Sequence, residues 1–133
     1  MASLLKVDEM QGVTSAGDIT ITSEGGSATM QLQQGLAKAW IDYKGTSTNS
    51  IRDSLNFASV SDNGTGDYTA SYTSAMGNAN YSALYSAGVK NVITAQERLY
   101  TIATDSYRIE MSEDGGSASD SSYVMIAMHG DLA

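Results

Sequence analysis

The stretch from Ser50 to Thr73, SIRDSLNFASVSDNGTGDYTASYT, constrains the fold more than any other part of the chain. Ile51, Leu55 and Phe57 share one parity, and Arg52, Ser54 and Asn56 the other. Further on, Tyr68, Ala70 and Tyr72 alternate with Thr69, Ser71 and Thr73. Successive side chains leave a strand on opposite sides, so a period of two marks a strand with one buried face. Between the two runs lies Asp62-Asn63-Gly64-Thr65-Gly66-Asp67, whose Asn-Gly step tolerates the positive φ that tight hairpin turns require. The stretch predicts two antiparallel strands joined by a glycine-rich turn.

Composition carries the same reading to the rest of the chain. There is no proline or cysteine, and only one Phe and one Trp, against eight Tyr, seven Met and thirteen Gly. Tyr, Thr and Ser with frequent glycine turns suit pleated, half-exposed surfaces, so the expected fold class is all-β. A chain of 133 residues is most simply one domain, or one domain with an extended segment. At that size it can bury roughly two-thirds of its unfolded surface.

Charge argues against nucleic acid as a partner. Seven basic residues in a balance of −8 cannot furnish the phosphate-neutralising patch that such binding needs. Without cysteine there is no disulfide or thiolate chemistry. No run reaches the roughly 18 apolar residues of a membrane span, so no membrane insertion is expected. The opening MASLLKVDEMQ meets an acid within eight residues and has no apolar h-region, which predicts no signal peptide and synthesis in the cytoplasm.

Residues 1–35 differ from the remainder. Leu4, Leu5, Val7, Met10 and Val13 are followed by Ile19-Thr20-Ile21-Thr22, a Glu24-Gly25-Gly26-Ser27 turn, and a short alternation over Thr29–Gln34 ending at Gly35. These strands are too sparse to close a core alone. Their β-branched and aliphatic content favours extended strands packed on another subunit or on the main domain over a flexible tail. From Leu36, Ala37, Ala39, Ile41 and Tyr43 alternate with Lys38, Trp40, Asp42 and Lys44, which places Trp40 on the charged parity, against another sheet, a loop or a neighbouring chain.

Ser74–Asn80 reads as a loop; Tyr81, Ala83, Tyr85 and Ala87 then read as a strand ending at Gly88. Val92–Thr104 is compatible with a helix, through Thr94 and Glu97 as a capping box, or with a strand, which its neighbours favour. Tyr107, Ile109 and Met111 form a clean alternation, and Glu113–Ser122 a polar loop. Tyr123–His129 is apolar on both parities, as in a strand covered on both faces, the second cover being a sheet or other subunits. Together these segments predict an antiparallel β-sandwich of about seven to nine strands over 36–133, with an extended N-terminal β segment over 1–35.

Candidate chemistry is thin. His129 is the only histidine and sits at the tail of a core strand, which suits a structural or interface role better than that of a base. One histidine without cysteine cannot form a histidine-rich metal site. Asp62–Asp67 loosely resembles an oxygen-ligand loop, but the twelfth position, where an EF-hand carries glutamate, is Thr73, and a plain turn is preferred. Gly64-Thr65-Gly66 lacks the spacing of a phosphate cradle. Nothing pairs two carboxylates as glycosidases require. Met111, Met125 and Met128 read as core fillers, and Tyr68, Tyr72, Tyr81 and Tyr85 as half-wet tyrosines, with surface recognition through Tyr81, Tyr85 and Tyr100 as the minor alternative.

Four segments in order, Ala39-Trp40-Ile41-Asp42-Tyr43-Lys44-Gly45, Ile51-Arg52-Asp53-Ser54, Asp62-Asn63-Gly64-Thr65-Gly66-Asp67-Tyr68-Thr69 and Asn78-Ala79-Asn80-Tyr81, resemble a recurring module in virion proteins of tailed bacteriophages, many of marine and cyanobacterial viruses. Ala2–Asp8 and Met128–Ala133 are similar to the ends of short members of that group, so the similarity touches most of the chain. Gly77 stands where those proteins commonly carry proline. The resemblance implies a non-enzymatic, homotrimeric tail-fibre or appendage subunit of the virion, with no cofactor and no catalytic residue to carry over. Residues 1–35 would attach it to other virion proteins, and the sandwich could bind a host-surface glycan or protein. The alternatives are a capsid decoration or head-fibre protein of the same fold, and a stand-alone carbohydrate-binding domain. The expected interface residues are Leu4, Leu5, Val7, Ile19, Ile21, Trp40, Met125, Ala127 and His129.

Overall fold

The computed structural model describes residues 4–13, 19–88, 101–113 and 116–133, which form two compact units, Met1–Leu36 and Ala37–Ala133. In the first, β1 (Thr20–Thr22) pairs antiparallel with β2 (Thr29–Gln31) across the Glu24–Ser27 turn. The alternation expected through Gln34 stops at Gln31, and Leu32–Gly35 make a single helical turn, α1. Leu32 and the two glutamines that follow are good helix formers. The Leu32 N–H closes the ladder on the Ile19 carbonyl at 2.7 Å before the chain curls.

The second unit is a sandwich of two four-stranded antiparallel sheets. Sheet one runs β4 (Ser50–Leu55), β3 (Ala39–Lys44), β10 (Tyr123–His129), β7 (Ser82–Gly88); sheet two runs β5 (Phe57–Gly64), β6 (Asp67–Tyr72), β9 (Ser106–Glu110), β8 (Thr101–Ile102). One parity of each central strand is buried: Ala39, Ile41, Tyr43, Val124, Ile126 and Met128 from sheet one, Tyr68, Ala70, Tyr72, Tyr107 and Ile109 from sheet two. Burying each of the larger apolar side chains contributes about 1.5–3 kcal/mol. The core is unusually rich in tyrosine. Tyr43 and Tyr68 meet edge to face across the sheets at 5.3 Å, and Tyr72 meets Tyr81 in the same way at 6.1 Å.

The expected hairpin is displaced by one strand. Tyr68–Tyr72 does form a hairpin, but its partner is Phe57–Gly64, with register from Phe57↔Tyr72 to Gly64↔Asp67. Ser50–Leu55 pairs with β3 in the other sheet. The chain changes sheets at Asn56, whose φ is +58. Asn is among the few residues that enter this region readily. Its side chain bonds both the Ser74 N–H (2.7 Å) and the Ser74 carbonyl (3.0 Å), and its carbonyl takes the Thr73 N–H, which fixes the corner. Leu55 and Phe57 share a parity in sequence, yet Leu55 is 48% exposed and Phe57 6%. The turn itself is also tighter than expected: Asp62, Asn63 and Gly64 belong to β5, leaving Thr65 and Gly66 at the tip.

Two loops are more structured than their composition suggests. Met76 is buried and bridges Leu132, and the Gly77 N–H donates to the Asp131 carbonyl at 2.7 Å, a bond that proline could not make. In the polar segment before β10, Ser121 is fully buried and its hydroxyl reaches the Gly88 and Tyr123 carbonyls. Of Val92–Thr104, residues 92–100 lie outside the described residues, and Thr101–Ile102 is strand β8.

Candidate functional site

Burial of one parity in sheet one leaves the other parity to form an outer face. The register puts one residue of each strand in a row across it: Leu55 opposite Trp40, Trp40 opposite Ala127, Ala127 opposite Leu84. Every member of that row is apolar, and Leu84 is 60% exposed and Trp40 36%. Met125, also exposed, sits beside the row on β10. Trp40, Leu84, Met125 and Ala127 line a shallow groove of about 490 Å³ along these strands. β10 is thus a central strand whose apolar second parity has no cover from its own sheet partner among the described residues.

One end of this face is polar and ordered. Arg52 pairs with Asp42 at 2.8 Å, donates to the Ser122 carbonyl at 2.6 Å and stacks over the Tyr123 ring at 4.2 Å. His129 lies on the same parity at the other end of β10, opposite Ser82. Four expected interface residues, Trp40, Met125, Ala127 and His129, are therefore brought onto one surface. Leu55 and Leu84 join them, and sequence reading missed both because parity along one strand does not say which rows align across a sheet. Of the expected N-terminal interface residues, Leu4, Leu5, Val7 and Ile21 are exposed and Ile19 is half-buried.

The tyrosines proposed for surface recognition separate. Tyr81 is 8% exposed, and its hydroxyl donates to the Ala103 carbonyl at 3.0 Å, so it is a core residue and the expectation is corrected. Burial pushes its pKa upward. Tyr85 is exposed, and Tyr100 lies outside the described residues. Tyr68 and Tyr72 are buried rather than half-wet, and Met125 is not a core filler, unlike Met111 and Met128.

Two carboxylates away from this face, Asp67 and Asp120, are tied into the framework. Asp67 accepts Arg108 Nε at 2.8 Å and a second guanidinium nitrogen at 2.5 Å, which holds its carboxyl below the usual carboxylate range. Asp120 accepts the Gly66 N–H at 2.7 Å and the Tyr68 hydroxyl at 2.8 Å. Burial, then the Asp120 bond, drives the Tyr68 pKa far above its ordinary value, so the hydroxyl keeps its proton. Among the described residues no three His, Cys, Asp or Glu side chains gather as a metal cage, and no helix is long and apolar enough to cross a membrane. No protein-family model, curated protein or solved structure matches the chain.

Proposed function

We propose that this chain is a non-enzymatic structural subunit of a tailed-bacteriophage particle, a small tail-fibre or appendage protein working as a homotrimer. The observation that carries the reading is the apolar row Leu55, Trp40, Ala127 and Leu84, aligned across four strands of one exposed face. A contiguous apolar surface of this kind marks an interaction site rather than a solvent face. Copies of one chain are the simplest partner for such a surface, since closed symmetric assemblies are the commonest oligomers. The resemblance of the Trp40, Ile51, Asp62–Thr69 and Asn78–Tyr81 segments to phage virion proteins supplies the biological setting. In this reading residues 1–35 attach the subunit to other virion proteins, and the exposed loops can meet a host-surface glycan or protein.

Immunogold labelling of intact particles with an antibody to the sandwich tests it. Label confined to the tail or its appendages supports the reading. Label over the shell moves the chain to the capsid decoration alternative, and absence from purified particles contradicts both. A carbohydrate-binding domain acting alone is favoured by one feature, the partly exposed Trp40 indole in that groove. That alternative requires glycan binding by the isolated chain, lost in Trp40→Ala.

A further inference from the structure

We propose that the rim of the sandwich between Asp62 and Asp120 binds a divalent cation of calcium size, with the Tyr43 hydroxyl and the Asn49 side-chain oxygen as neutral ligands. Four residues from three stretches of the chain, 43–49, 62 and 120, converge there. Asp62 is the register partner of Tyr68, which sets it on the core side of sheet two at the open end of the sandwich. The loop before β10 brings Asp120 to the same end, where one of its oxygens takes the Gly66 N–H and the Tyr68 hydroxyl. Tyr43 reaches across from sheet one and packs edge-on against Tyr68. Asn49, just ahead of β4, donates its amide N–H to Asp62.

Two oxygens at this rim are left without a partner. Among the described residues the Tyr43 hydroxyl has no hydrogen bond, although the residue is only 3% exposed, and the Asn49 side-chain oxygen is also sealed and unpaired. Buried polar groups are almost always satisfied, so orphans of this kind call for an explanation such as an ion. The Tyr43 hydroxyl sits in the field of both carboxylates: after burial itself, Asp62 and then Asp120 raise its pKa. Neither carboxylate has a Lys or Arg among its bonds in the described residues, since Arg52 is committed to Asp42 and Arg108 to Asp67. Two carboxylates, an amide oxygen and a hydroxyl make an all-oxygen donor set, which suits a hard cation completing its shell with water.

The 62–67 loop does not supply this site as a loop. Asn63 is turned to Asp67 and Thr69, and Asp67 to Arg108. Of that segment, Asp62 faces the rim with its side chain and Gly66 reaches it through its backbone N–H. A bound ion would tie β5, the loop before β10 and Tyr43 of sheet one together at the end of the sandwich.

The test uses the full chain, freed of metal with chelator and titrated with CaCl2 and separately with MgCl2, read by thermal unfolding and calorimetry. At ten times Kd, CaCl2 is expected to raise Tm by roughly 5–10 °C. Asp62→Asn and Asp120→Asn, which keep the shape and one acceptor oxygen each but remove the charge, are expected to lose most of that gain. Asp62 is exposed, so its variant folds. Absence of any shift or binding heat at millimolar CaCl2 would overturn the proposal, as would an undiminished gain in both variants.

Discussion

Gly66 sits at the tip of the β5–β6 hairpin with φ +71, and it is the point at which the polar loop before β10 is welded to the sheet. A methyl group placed there would lie 2.4 Å from the Met111 carbonyl oxygen, 2.9 Å from that of Ser119 and 3.0 Å from the Ser119 nitrogen. All three atoms are backbone, so a rotamer change cannot relieve the clash. Gly66→Ala therefore adds about 1–2 kcal/mol for the left-handed conformation. Backbone displacement then breaks two bonds made at 2.7 Å, Met111 N–H to the Gly66 carbonyl and Gly66 N–H to the Asp120 carboxylate. A neutral bond is worth about 1 kcal/mol and one to a charged group about 1.5–3.

The expected loss in Gly66→Ala is thus about 3.5–6 kcal/mol, a large share of the 5–15 kcal/mol of a typical domain. It corresponds to a fall in Tm of more than about 15 °C. Gly64→Ala is the control: its φ is also positive, at +146, but nothing lies within 4 Å of the added methyl. Strain alone costs about 1–3 kcal/mol there. Thermal unfolding followed by circular dichroism measures both. Equal losses at the two glycines would refute the claim that the hairpin tip is locked by packed backbone.

Met128→Ala, at a fully buried site, should cost about 2–5 kcal/mol, whereas Met125→Ala, 42% exposed on the outer face, should leave the unfolding of the isolated chain nearly unchanged while weakening self-association. Tyr81→Phe should cost about 1 kcal/mol through the lost bond to Ala103 and leave any surface binding intact, which binding assays and denaturant titration can check together. The Arg108 pair to Asp67 makes a pH-dependent contribution. Because Asp67 is depressed in the folded state, the stability it supplies is complete above the ordinary aspartate value of about 3.9 and disappears as pH falls through the folded value. Wild type and Arg108→Ala should therefore differ in Tm at neutral pH and converge in acid, and the gap should shrink in salt; a gap constant from neutral pH to pH of about 2 contradicts this.

The alternating runs at Ala39–Tyr43, Tyr68–Tyr72 and Tyr107–Met111 were readable because burial of one face imposes a parity that the residues must obey, whereas Val124–Met128, apolar on both parities, was readable only as a strand. Parity carries no information about which sheet a strand joins. The run from Ile51 to Phe57 keeps its period of two straight through the corner at Asn56, so it reads as one strand although it serves two sheets. The one available signal was Asn56 itself, a residue type that accepts positive φ. Asp120 was illegible for a different reason: in a run of Ser, Gly and Asp nothing distinguishes the carboxylate that bonds Tyr68 from those facing water. Of the outer face, Trp40 was legible from its parity and Met125 and Ala127 only from the two-sided apolarity of their strand, while Leu55 and Leu84 required the cross-strand register.

The central claim is that the outer face of sheet one is covered by sister copies. Sedimentation equilibrium of the full chain at micromolar concentration tests it most directly, alongside Trp40→Ser, which removes the middle of the apolar row without touching the core parity. The account predicts the mass of a trimer for the wild type and a folded, smaller species for the variant. A folded wild-type monomer at that concentration, or a trimer indifferent to Trp40→Ser, would contradict it.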